Sequence, residues 1–122
     1  MEINSESTFG LVRPTKLFKD ELKFEVDGLT FILAHVPGET DDHLYVWLPD
    51  KNAVMVGDNF YRSFANLYAI RGTKFRNPME WVQSLDKIRM LNAEYLIPSH
   101  SRPIAGTENV SKALTDYRDG IQ

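Results

Sequence analysis

The chain has 122 residues, a formal net charge of −3 and a hydrophobic content of 43%, enough for one domain with a real core and too little for two. No Lys/Arg cluster accompanies that charge, which argues against nucleic acid as the main partner; cysteine is absent, which excludes disulfides and thiolate-bound metals and leaves His, Asp and Glu for any metal site. No apolar run approaches the length of a membrane span, and residues 1–11 are too polar for a signal peptide.

In chain order, residues 1–7 are polar and 9–17 form a connection interrupted by Pro14. Leu22, Phe24 and Val26 alternate with Lys23 and Glu25, the pattern of a half-exposed strand, and Asp27-Gly28 predicts a hairpin turn into the next. Residues 29–36 and 44–48 are apolar on both faces, so their sheet requires cover above and below. The first of these runs stops at Pro37-Gly38 and is followed by Glu39, Asp41, Asp42 and His43. The second ends at Pro49-Asp50, and a third, 53–56, delivers Gly57-Asp58.

Past Asp58 the period changes. Phe60, Phe64, Leu67, Tyr68 and Arg71 recur at helical spacing, with Gly72 suited to end the helix. Asn77 then reads as an N-cap, with Pro78 at the first helical position, Glu80 placed for a capping box, and Trp81, Leu85, Ile88 and Leu91 as the buried stripe. Residues 95–97 form a short strand that stops at Pro98 and exposes Ser99 and His100. Thr107 is the expected cap of a last helix, with Val110, Leu114 and Tyr117 facing inward and Gly120 at its C-terminal cap. There is no internal repeat, low-complexity segment or domain linker.

Glu39, Asp58 and His100 each follow directly on an apolar strand. Strands hold their ends rigidly, so the three can converge on one sheet edge, where carboxylate and imidazole donors suit Zn²⁺ or another divalent metal. Taken singly, an acid after Pro-Gly is more often an ordinary turn residue. His35, inside an apolar strand, reads as a satisfied core residue rather than a ligand. His43, at a strand start, reads as a partner to a ligand or as surface.

Together these residues resemble the metallo-β-lactamase fold superfamily, specifically its alkyl sulfatase branch. Pro37-Gly38-Glu39-Thr40 stands where most members carry Pro-Gly-His-Thr, and a glutamate in this motif is a feature of the sulfatases. The spacing from Glu39 to Asp58 agrees with that between the branch's two acidic metal ligands. Asn66-Leu67-Tyr68-Ala69-Ile70-Arg71-Gly72 resembles its Asn-Leu-Tyr-x-x-Arg-Gly signature, and Ser99-His100-Ser101-Arg102-Pro103 its final His loop. The departures are Asp58 where the sulfatases usually have Glu, Arg62 and Ala65 where their helix has histidines, and the absence of the superfamily's His-x-His-x-Asp-His.

The resemblance implies an α/β fold, half of a metallo-β-lactamase αββα sandwich, in which a mixed sheet carries helices on one face and residues 1–122 form the second half of the domain. It also implies two Zn²⁺ ions, with Glu39 on one, His100 on the other and Asp58 bridging, and a metal-bound water rather than a side chain as nucleophile or general base. Arg71 would hold the sulfate of a small-molecule alkyl sulfate through its planar fork, with Asn66 and Tyr68 shaping that pocket. On general grounds Arg71 reads equally well as a charge at a helix C-terminus. Without the first metal motif, the chain is expected to bind metal weakly and to be inactive alone. It is also expected to pair through its uncovered sheet face, as a homodimer or with a complementary half-domain. The alternatives are another hydrolase of this fold, acting on lactams, thioesters or phosphoesters, and a non-catalytic binding or assembly module that keeps the fold.

Overall fold

Asp27 and Gly28 take φ of +50° and +76°, the left-handed geometry that lets two residues join strands of right-handed twist. In the computed structural model, which describes residues 10, 12–68, 72 and 74–122, β1 (Glu21–Val26) and β2 (Leu29–His35) accordingly pair antiparallel with Val26 opposite Leu29. β3 (Leu44–Leu48) extends the meander. A 3₁₀ turn, Pro49–Lys51, closed by Asn52 at φ +48°, returns the chain as β4 (Ala53–Gly57). A long crossover carrying α1 (Pro78–Arg89) leads to β5 (Tyr95–Pro98), parallel to β4. β6 (Ile104–Ala105) and α2 (Thr107–Ile121) complete the described elements. The result is a mixed six-stranded sheet in the order β1-β2-β3-β4-β5-β6, as the α/β expectation requires.

Both helices lie on one face. Ala34, Tyr45, Val54, Val56 and Leu96 point into it and are buried against Trp81, Leu85 and Ile88 of α1 and Val110 and Leu114 of α2. The opposite face carries a row of cross-strand neighbours, Leu22, Leu33, Val46, Met55 and Ile97, running over five strands, with Phe24 stacked on Phe31 beside it. No described helix covers these side chains, and Met55 remains 41% exposed. Residues 14–19 cross one end of this face and leave a groove of about 580 Å³ above Leu22, Leu33 and Leu44. Tyr45 and Trp47 belong to the helix side, so the open apolar surface is narrower than the strand composition suggests.

Asn77 caps α1 as its position predicts, its side chain accepting from the amides of Met79 and Glu80. Three local expectations fail. Residues 60–68 are not helical, and Phe64 and Tyr68, at 70% and 81% exposure, bury no stripe. The backbone of this segment bonds elsewhere: the Arg62 amide donates to Ser101 Oγ (3.1 Å), and the Asn66 carbonyl accepts from Arg76. A short helix without a packed apolar face does not hold itself together. Thr107 is the first residue of α2, and Gly106, at φ +91°, takes the cap position because its left-handed backbone turns from β6 into the helix. α2 also runs through Gly120, since Ile121, 8% exposed, docks into the core.

Candidate active site

The sheet edge beyond β2 and β4 is built around Asn59, which is fully buried. Its amide nitrogen donates to the Val36 carbonyl (2.7 Å) and its Oδ1 accepts from the Glu39 amide (3.3 Å), while its own carbonyl accepts from the Trp81 indole (3.1 Å). A burial this deep requires that full set of partners. It also explains Gly38: a Cβ there would lie 2.2 Å from Asn59 Oδ1. Ser84 on α1 donates to the Pro37 carbonyl (2.6 Å) and fixes the same turn from the other side. Glu39 therefore leaves the sheet on a backbone held at both flanks.

Asp58 is aimed by a bulge. The β4–β5 register shifts between Met55 and Gly57, and Gly57, at φ +55°, turns the chain so that Asp58 leaves the strand end. His43 packs over this corner, with Nε2 2.9 Å from the Val56 carbonyl and 2.7 Å from where a Gly57 Cβ would stand. The Ser99 amide donates to the Gly57 carbonyl (3.1 Å), which brings His100 Nδ1 within 2.7 Å of Asp58 Oδ1. His35, by contrast, is only part-buried and bonds through Nε2 to the Asp41 carbonyl (2.7 Å), so it is satisfied but is not a core residue.

Tyr61 connects the three predicted site residues. Its hydroxyl donates to Glu39 Oε2 (2.8 Å), and its ring lies nearly parallel to the His100 imidazole, with centroids 6.3 Å apart. Burial pushes its phenol well above the ordinary range, and the carboxylates of Glu39 and then Asp58 push it further. The other oxygen, Glu39 Oε1, receives Arg76 Nη2 at 2.6 Å in a pair whose side chains are 12% and 19% exposed. Arg76 also donates to the Asn66 carbonyl. Neither Tyr61 nor Arg76 stands out in the sequence: each is a single residue in a segment without period, and only the tertiary fold gives it a role.

Of the predicted substrate-binding residues, Asn66 is exposed and its side chain accepts from the Tyr68 amide (3.2 Å), an Asx-type turn, while the Tyr68 ring faces solvent. Arg71 lies outside the described residues. As arranged, the acids and histidine do not fit a metal ion. Each Glu39 oxygen already has a partner, Arg76 or Tyr61, Asp58 and His100 bond to each other, and no group of three His, Asp or Glu among the described residues is placed to hold one.

The family model described as Metallo-beta-lactamase superfamily matches residues 8–100. The chain belongs to the metallo-β-lactamase superfamily. A linear primary-alkylsulfatase of Pseudomonas sp. (strain ATCC 19151) is 39% identical over 117 residues, 94% of this chain and 22% of that protein. An alkyl/aryl-sulfatase of Saccharomyces cerevisiae is 25% identical, over 94% of this chain and 19% of its own length. The solved structure of the stereoselective inverting sec-alkylsulfatase Pisa1 from Pseudomonas sp. superimposes with a TM-score of 0.82 at 26% identity, covering 89% of this chain and 18% of that one. The chain thus spans about a fifth of the length of these sulfatases. The superfamily implies metal use, and the six-stranded sheet with its two helices matches the fold of these neighbours.

Proposed function

We propose that residues 1–122 are the second half of a metal-dependent hydrolase domain for alkyl sulfate esters, and that the chain supplies part of a zinc centre. The observation that carries this reading is the line Glu39, Tyr61, Asp58 and His100 at one sheet edge, in a chain whose relatives are named alkylsulfatases. Glu39, Asp58 and His100 are the donors offered. With Asp58 shared, two zinc ions would each find two ligands here, short of the three usual for a catalytic zinc. The remaining ligands would be the His-x-His-x-Asp-His that this sequence lacks. Asn66, Tyr68 and Arg71 are the residues we assign to the sulfate, Arg71 for the planar fork that matches an oxyanion.

The chain's own contribution to such chemistry is to hold charge in fixed places. Asn59 and Ser84 fix the turn that presents Glu39; the β4 bulge and His43 fix Asp58; the 2.7 Å bond to Asp58 orients His100. The open sheet face is the surface on which the complementary half, or a second copy, would pack. Burial of each large side chain there would contribute roughly 1.5–3 kcal/mol.

Purified chain analysed for metal after dialysis is expected to hold zinc weakly and below one ion per chain, and to leave dodecyl sulfate intact until the missing half is supplied. Two tightly held ions per chain, or hydrolysis of dodecyl sulfate by the chain alone that Asp58→Ala abolishes, would overturn the incomplete-centre reading. Nitrocefin and phosphodiesters assayed beside dodecyl sulfate separate the other hydrolases of this fold. The second reading, a non-catalytic module that keeps the fold, is favoured by the ion pair that Glu39 makes with Arg76. It predicts no zinc binding even with the complementary half present.

A further inference from the structure

We infer that the cleft between residues 60–64 and α2 is a binding site for an aromatic anion, an arene carboxylate or sulfonate whose ring lies among Phe60, Phe64 and Tyr117 and whose charge meets Arg62. The site needs no metal. It lies outside the line of Glu39, Asp58 and His100 and shares with it only Tyr61 as a wall, so the inference goes beyond the hydrolase reading and does not depend on it.

The cleft offers about 570 Å³, within the roughly 300–1,000 Å³ usual for small-molecule sites. Its lining is aromatic at both depths. Phe60, 3% exposed, and Tyr117 form the inner wall, their ring centroids 5.1 Å apart and tilted by 53°. Phe64, from the same segment as Phe60, stands at the rim with 70% of its surface in water. A ring seated between them would cover Phe64 and make the tilted or offset contacts that aromatic pairs favour, a gain beyond the area buried that an alkyl chain does not share.

Gly120 on α2 keeps the cleft open. Its backbone has no positive φ and so does not require glycine, and a Cβ there would meet nothing nearer than Phe64 Cε2 at 3.9 Å. Packing therefore does not require the glycine either; the missing side chain leaves room facing Phe64.

Charge sets the sign of the ligand. Arg62 lines the cleft, is exposed and makes no ion pair among the described residues. Its guanidinium makes a long bond, 3.4 Å, to the Pro103 carbonyl. Asp116, the acid among the described lining residues, is already held by Lys112 at 2.7 Å. The fork of Arg62 is thus open to a carboxylate or sulfonate, which it can grip through two oxygens.

The test is isothermal titration of naphthalene-2-carboxylate into the chain, beside decanoate and 2-naphthylmethylamine. The naphthoate is expected to bind one to one, and the alkyl carboxylate and the aromatic amine each about fivefold more weakly or worse. Arg62→Gln weakens naphthoate by about five- to tenfold and leaves the amine unchanged. Gly120→Leu, whose side chain fills the cleft from an exposed position, abolishes binding. Should Gly120→Leu lower the Tm, Phe64→Ala trims an exposed ring without touching α2 and is expected to give a loss of its own. Absence of naphthoate binding at millimolar concentration, decanoate or amine bound as tightly, or affinity unmoved by Arg62→Gln or by the cleft variants overturns the inference. So does binding that survives the cleft variants and falls in Val46→Glu, which would put the ligand on the open sheet face. None of these outcomes bears on zinc binding or on the hydrolase reading.

Discussion

Asn59→Ala tests whether the site is held by the core or merely attached to it. The side chain is wholly buried, and its removal strands the Val36 carbonyl, which it bonds at 2.7 Å, and weakens the hold on the Glu39 amide at 3.3 Å. Leaving one buried group unpaired costs about 1–3 kcal/mol, and a residual cavity adds to it, so the loss should be about 2–4 kcal/mol out of the roughly 5–15 kcal/mol that holds such a domain. Gly38→Ala should be destabilising for the converse reason, since its Cβ would meet Asn59 Oδ1 at 2.2 Å and Trp81 Cδ1 at 3.0 Å. In the double variant the first of these clashes is gone. Urea unfolding of the four proteins should therefore give a combined loss at least about 1 kcal/mol smaller than the sum of the singles. Additivity within about 0.3–0.5 kcal/mol would refute the argument that Gly38 is glycine because of Asn59.

Val46→Glu, on the open face, should abolish any self-association seen by sedimentation at micromolar concentration while leaving the fold intact, whereas Tyr45→Glu, on the helix side, should unfold the chain. A wild-type monomer that binds no hydrophobic dye would refute the assembly proposal. Tyr61 and Tyr117 both have phenols raised mainly by burial, so they favour the folded chain below the ordinary tyrosine range. That contribution is lost as pH rises past it, and absorbance at the phenolate band should show them titrating only with alkaline unfolding. Asp50 is the opposite case: the Thr30 amide at 2.7 Å holds its carboxyl below the usual range. Its contribution is present above the ordinary carboxylate pKa and fades as pH falls through the lowered one, so Asp50→Asn should narrow the stability difference from wild type in acid.

The strands and α1 were legible because their signals are local. Alternation in β1, Asp27-Gly28 between β1 and β2, and Asn77-Pro78 before α1 each specify backbone geometry without reference to anything distant. Over residues 60–68 the helix that spacing predicts does not form, because spacing does not stand for packing; Phe64 and Tyr68 recur at the right interval but face solvent. Glu39, Asp58 and His100 could be picked out as residues that follow strands. Their partners could not, since Arg76 and Tyr61 meet Glu39 only through a crossover that no local pattern describes. Asn59 illustrates the same point: in sequence it is a turn residue after Gly57-Asp58, and in the fold it is the buried polar centre of the edge.

The parallel pairing of β4 with β5 also sets the order in which the chain assembles. β1 to β4 are joined in sequence order by local connections, the longest being residues 36–43, and can pair early, but setting Val54 beside Leu96 closes a loop of about 40 residues, at an entropic cost on the order of 3 kcal/mol. Until that closure, Glu39 and Asp58 stand at the end of a four-stranded meander whose last strand is an unpaired apolar edge, and His100 has not arrived. The complete site therefore exists only once that loop is closed. An intermediate lacking it would expose Val54 and Val56 along a free edge, the form in which this chain is most prone to stick to its own kind.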